Sequence, residues 1–196
     1  LGAATGELEV RLASMARAEG ITNFRIDCMA TDPANLIPGR ELATERNVVA
    51  HVAFLHRTLA QWTGGESYAL CLAVAVLHRL PQLEATLDRV HRALGADGLL
   101  LTVERTGASA HARWPEARMI LERIWRLMPS RYKTLASNGA VESNFDAPPT
   151  DESDGVRAAD VLPELMARFH AGTFVAFGNL VEPFVQLLDL HFERLG

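Results

Sequence analysis

Two residues stand where open α/β folds do acid–base chemistry. His78 follows the apolar run from Ser67 to Leu77, and Glu104 ends the apolar stretch that begins at Leu99. The C-terminal ends of parallel strands are where such sheets bind ligands, and an imidazole or a carboxylate there can hold or move a proton. A third place is Leu1-Gly2-Ala3-Ala4-Thr5-Gly6, followed at once by Glu7-Leu8-Glu9-Val10-Arg11-Leu12. It reads as the end of a strand, a glycine-rich turn and an amphipathic helix, with Leu8, Leu12, Met15 and Ala16 on one helical face. Glycines let a ligand approach without meeting a Cβ, and the helix N-terminus behind them suits an anionic or polar group. Three further histidines, His51, His56 and His91, carry no metal site. His51 and His56 are an odd number of residues apart, so on a strand they face opposite sides and form no metal pair. His91 lies on the apolar face of its helix and is expected in the core. No spacing supports a zinc or iron site.

These residues need elements to position them. After Gly20, Ile21 to Met29 reads as a strand. Asp32 can then cap a helix that has Pro33 at its first position. Val48 to Leu55 is a second strand, closing near Trp62 and Gly64-Gly65. SYALCLAVAVL, Ser67 to Leu77, fits a strand buried on both faces of a parallel sheet. Leu83, Leu87, Val90, His91 and Leu94 mark the clearest helix, stopped by Gly95-Ala96-Asp97-Gly98. Leu99 to Glu104 follows as another strand. Strand and helix in alternation imply right-handed βαβ units. Beyond Thr106 the reading is a helix from Trp114, a polar excursion over Ser137 to Gly155, a helix over Val161 to Phe169, a strand over Gly172 to Phe177 and an apolar helix from Leu180.

Composition narrows the class. The chain has 196 residues, 48% of them apolar, enough for one domain with a buried core. A net charge of −5 argues against a general nucleic-acid binder. No apolar run reaches the roughly 18 residues of a membrane span, and no signal-peptide pattern is visible. Cys28 and Cys71 lie in strand-like stretches outside any CxxC and read as buried, reduced thiols, in keeping with the cytoplasm.

Three stretches, in this order, resemble class I S-adenosylmethionine-dependent methyltransferases: LGAATGELEVRLA, SYALCLAVAVLHRLPQLEATLDRVHRAL and GADGLLLTVER. HARWPEA, GVRAADVLP and FVAFGN resemble the C-terminal part of a bacterial subgroup of these proteins. The resemblance implies a Rossmann-like three-layer sandwich with a mostly parallel sheet. Residues 1–105 would form its core, 106–160 a lid or substrate segment, and 161–196 closing helices and a strand. It implies S-adenosylmethionine as cofactor and a small-molecule or sugar-containing substrate, with no nucleic acid, membrane span or metal. Leu1-Gly2 would end the central strand, which residues upstream of Leu1 are expected to complete. A dinucleotide-binding oxidoreductase fits less well, since Ala4 stands between Gly2 and Gly6 and the G-x-G-x-x-G spacing is missing.

Carried over position by position, the cofactor contacts fall on Gly2, Ala3, Ala4, Thr5, Gly6, Ala30, Asp32, Thr58, Leu59 and Ala73. Two of these stand where the family has acids: Ala30 for the ribose and Thr58 for the adenine. Asp32 or Asp27 is the nearest substitute for the first. The resemblance makes His78 and Glu104 the catalytic candidates and His111, Arg113 and Trp114 the substrate contacts. An alternative is a methyltransferase-like domain without catalysis, used for binding or assembly, with its apolar last helix as an interface to a second copy or a larger chain.

Overall fold

The computed structural model describes residues 1–2, 4–65, 67–107, 114–133, 155–178 and 180. Helix α1 (Glu7–Ala18) is followed by β1 (Ile26–Ala30), α2 (Ile37–Glu45), β2 (Val52–His56) and β3 (Tyr68–Val74). Then come α3 (Leu83–Ala93), β4 (Leu94–Val103), α4 (Pro115–Leu127) and the short α5 (Val161–Met166). Every strand pairing is parallel: β1 with β2 from Ile26↔Val52 to Ala30↔His56, and β3 with β4 from Tyr68↔Leu94 to Val74↔Val103. Parallel neighbours need crossovers, and α2 and α3 supply them.

The expected single sheet is not what forms. Among the described residues the strands make two separate two-stranded sheets. Leu1 packs in the cluster shared by Met29 and Leu55 of the first pair and Cys71 and Leu100 of the second, and its nitrogen donates to the Leu72 carbonyl at 2.6 Å. That single link does not make a strand. The Tyr68 hydroxyl reaches the Asp27 carboxylate at 3.0 Å and ties β3 to β1 side chain to side chain. Among the described residues no helix is long and apolar enough to cross a membrane.

Packing follows two modules. Val10 and Ala13 of α1 meet Cys28 and Ala30 of β1, Ala43 of α2, and Leu36, Val48 and Val52. On the other side, α3 lays Leu83 and Leu87 against Ala73, Leu77 and Val161, and Val90 and Ala93 against Cys71, Met29 and Trp62. Both cysteines are free and buried, as expected.

Several expectations need correction. The large apolar stripe of α1 does not face inward: Leu8, Leu12 and Met15 are exposed, while Val10 and Ala13 are fully covered. Small residues decide this, because Gly6, Gly39 and Ala43 let α1 and α2 come close only on that side. β3 is not buried on both faces. Leu70 and Val74 lie exposed beside Leu99 and Val103, and only the face toward α3 is covered. β4 starts at Leu94 rather than Leu99, and the four residues Gly95 to Gly98 form an irregularity opposite the single Ala69 of β3. His51 sits in a turn before β2, with its ring stacked on Phe24 and Nδ1 bonded to the Phe24 carbonyl. His91 is exposed rather than in the core, its ring 5.5 Å from that of Phe169. No strand forms over residues 172–177. The helix expected from Leu180 and most of the polar excursion lie outside the described residues.

Candidate functional site

The glycine turn lies at the head of α1, against the middle of β1 and β2 and just past the end of β3. Gly6 is the residue before α1 and has φ 78°, a left-handed conformation that favours glycine. A Cβ there would lie 2.9 Å from the Phe54 ring and 3.1 Å from Cys28 Sγ. Gly39 of α2 donates to the Thr5 carbonyl at 3.0 Å, and a Cβ on Gly39 would sit 2.5 Å from that oxygen. Gly2 abuts Val76, just past β3. Protein atoms therefore fill the space that these glycines leave free. The turn also carries its own anions. Glu7 and Glu9 occupy the first turn of α1, and Thr5 donates to Glu7 at 2.9 Å, so the helix N-terminus is already balanced and does not invite a further anion. Burial pushes the nearby Cys28 thiol up to about 12, and burial raises Cys71 as well, so neither is a thiolate nucleophile near neutral pH.

The exits of β1 and β2 are tied to each other by His56 Nε2, bonded to the Thr31 carbonyl at 2.9 Å, and by the Arg57 amide, which donates to the Ala30 carbonyl at 3.2 Å. Ala30 is 4% exposed and its side chain belongs to the α1–α2 core. Asp32 accepts the Ala34 amide at 2.8 Å and caps the turn Pro33–Leu36. Asp27 is engaged at both oxygens, by Arg25 at 2.7 Å and by Tyr68. Past β2, Thr58 and Gln61 exchange two hydrogen bonds, Thr58 N to Gln61 Oε1 at 3.0 Å and Gln61 N to Thr58 Oγ1 at 3.1 Å. Leu59 packs against Trp62.

The exits of β3 and β4 are joined to each other. Ala75, with φ 51°, turns the chain out of β3. The Glu104 carboxylate then accepts the amides of Val76 and Leu77 at 3.0 Å each and that of His78 at 3.5 Å, and it bonds His78 Nδ1 at 2.7 Å. The two side chains are 1% and 3% exposed. A buried carboxylate is stable only when paired and hydrogen-bonded, and this one has both.

The structure thus brings His78 and Glu104 together, as two neighbouring strand ends suggested, but seals them inside. Gly2, Thr5 and Gly6 are gathered at the head of α1, and Ala4 is exposed beside them. Ala73, expected as a cofactor contact, is fully covered in the α3 core. Trp114 is 52% exposed at the start of α4, its indole near Gly107. Ala3, His111 and Arg113 lie outside the described residues. One residue escaped the sequence reading. Arg157 grips the turn after β3, and its only signal was membership of GVRAADVLP.

The residues present do not fit the polar anchoring of S-adenosylmethionine implied by the resemblance. Ala30 brings no acceptor, and Asp27, Asp32 and Thr58 are committed to bonds within the chain.

No family model matches the chain, and no curated protein matches it. Among solved structures, a chain described as "StiE O-MT residues 961-1257" is similar at a TM-score of 0.48 with 13% sequence identity, over 95% of this chain. The present chain spans 61% of the length of that one. The fold described above rests on strand pairing and packing, not on this likeness.

Proposed function

We propose that the chain is a methyltransferase-type domain, Rossmann-like in design, that serves S-adenosylmethionine-dependent methyl transfer to a small-molecule or sugar-containing acceptor. The observation that carries the reading is the glycine turn at the head of α1. Gly6 lies against Cys28 and Phe54, in the middle of β1 and β2, and Gly2 lies against Val76, just past the end of β3, the side of a parallel sheet on which ligands bind. S-adenosylmethionine, held weakly without carboxylate anchors at Ala30 and Thr58, would supply an activated methyl group on a sulfonium. The chain's own part is to align the acceptor and keep water out. Trp114, with His111 and Arg113, is proposed for acceptor contact. His78 and Glu104 are proposed as a positioning pair that fixes the β3 exit, since side chains 1% and 3% exposed do not meet an acceptor directly. A cytoplasmic setting, suited to two free cysteines, belongs to the same proposal.

Affinity is where this reading commits itself. A hydrogen bond to a charged group contributes about 1.5–3 kcal/mol. Each missing carboxylate thus weakens the cofactor by roughly tenfold to a hundredfold. The unmodified domain is expected to bind S-adenosylmethionine in the millimolar range, and Thr58→Asp is expected to tighten binding by at least about tenfold.

A second reading is a methyltransferase-like domain used only for binding or assembly. What favours it is the commitment of Asp27, Asp32 and Thr58 to internal bonds. Titration calorimetry with S-adenosylmethionine and its demethylated product separates the two. No heat at millimolar ligand sinks the first reading, and micromolar binding by the unmodified chain sinks the second.

A further inference from the structure

Glu104 holds the turn after β3 by its amides, and a second group holds the same turn from the opposite side. The Arg157 amide donates to the His78 carbonyl at 3.0 Å. Its guanidinium donates to the Pro81 carbonyl at 3.0 Å, to Asp160 at 2.5 Å and to both oxygens of Glu84. The amide thereby holds the β3 exit at His78, while the side chain ties Pro81, just past that turn, to the first turn of α3 and to the residue before α5. The next link closes the loop. The Ala158 carbonyl accepts the Gly107 amide at 3.3 Å, which fastens the same segment to the exit of β4. Ala158 is 3% exposed and Val161 fully buried, so the segment is seated rather than draped. The turn Leu77–Arg79 is therefore held between Glu104 and Arg157, with His78 in contact with both.

We propose that Arg157 is a positioning residue for His78, acting through the main chain of the turn after β3. An arginine is needed because the partners lie in different directions: a carbonyl at Pro81, one carboxylate at Glu84 and another at Asp160. The planar fork of five N–H donors serves all three at once, whereas a lysine ammonium is a single point charge. Removing the fork releases Pro81 and unseats the segment that carries the Arg157 amide, so that the amide's hold on the His78 carbonyl loosens and the imidazole shifts against Glu104. The importance of that geometry for methyl transfer rests on the function proposed above. The coupling itself does not.

The test reads His78 directly in the full chain. Heteronuclear NMR follows the His78 Nδ1 proton bonded to Glu104, and hydrogen exchange follows the amides of residues 77–80. Arg157→Gln is expected to broaden or shift the Nδ1 resonance and to speed exchange at residues 77–80 by about tenfold, with β1 and β2 unchanged. Arg157→Lys is expected not to restore the wild-type signals. A His78 resonance and exchange pattern unchanged in Arg157→Gln, with only the melting temperature lowered, overturns the proposal. Should Arg157→Gln not fold, Glu84→Gln breaks one arm of the fork and is expected to move the same signals less far. No movement there overturns it equally. A failed cofactor titration leaves these readouts intact, so the two ideas fail separately.

Discussion

Past β1 and β2 the side chains of Asp32 and Thr58 bond within a few residues, whereas past β3 and β4 the carboxylate of Glu104 and the guanidinium of Arg157 reach across the chain. Between β1 and β2 the His56 imidazole and the Arg57 amide reach back to the carbonyls of Thr31 and Ala30. Asp32 caps two residues on, and Thr58 bonds three residues on. Glu104, by contrast, captures amides 26 to 28 positions back, and Arg157 reaches 73 positions back to Glu84. The first pair carries the positions where the resemblance asks for carboxylate anchors and has none free. The second carries the residues expected to do chemistry and uses them as internal fastenings. Chemically capable side chains at strand ends are thus no guide to catalysis until burial and partners are known.

The largest test of this contrast is Glu104→Ala. It strips the acceptor from buried amides and from the His78 ring, and loss of one member of a buried pair costs about 3–5 kcal/mol. Denaturant titration of the variant reads it. A loss under 1 kcal/mol would mean that the β3–β4 exit is no better fastened than the β1–β2 exit.

Next comes Gly39→Ala. The added methyl meets the Thr5 carbonyl at 2.5 Å, and overpacking of this kind costs about 1–3 kcal/mol. The measurement is made without ligand, since a glycine kept only for a ligand would tolerate alanine when none is bound. Unchanged ligand-free stability would return the turn to a purely ligand-facing role.

Asp32→Ala should cost about 1 kcal/mol, the ordinary worth of a helix-type cap. A cost matching that of Glu104→Ala would erase the contrast from the other side.

The smallest effect concerns pH. Hydrogen bonds from Arg157 hold the Glu84 carboxyl down at about 2, below its ordinary value. A carboxyl depressed in the folded state contributes stability above its unfolded value and loses it as pH falls through the folded one. The difference in melting temperature between wild type and Glu84→Gln should therefore be flat above about pH 4.5 and close as the pH falls to about 2. A difference that persists fully at that acidity would detach Glu84 from the α3–α5 fastening.

Much of the element order was legible. α3 follows its helical stripe, the four strands lie where apolar runs were found, and Asp32-Pro33 does open a helical turn. The misses share a cause. Leu8, Leu12 and Met15 do share one helical face, but spacing along α1 does not say which face is covered, and the buried one is that of Val10 and Ala13, toward Gly39 and Ala43 of α2. β3 reads as buried on both faces because an apolar run records what a strand tolerates, not which face is covered. At the site, two polar residues at strand ends were legible. Their mutual bond was not, nor was Arg157, because neither follows from spacing along the chain.

The sequence alone determined the order of α1 to α4 and of the four strands, because periodicity, capping residues and glycine stops act within a few residues. It also determined which chemical groups stand at the strand ends. Tertiary structure decided what those groups do. The left-handed Ala75 and the adjacency of β3 and β4 aim three amides and an imidazole at Glu104. A carboxylate buried in that cradle is an acceptor for the fold, since withdrawing it from water is tolerable only while those donors hold it.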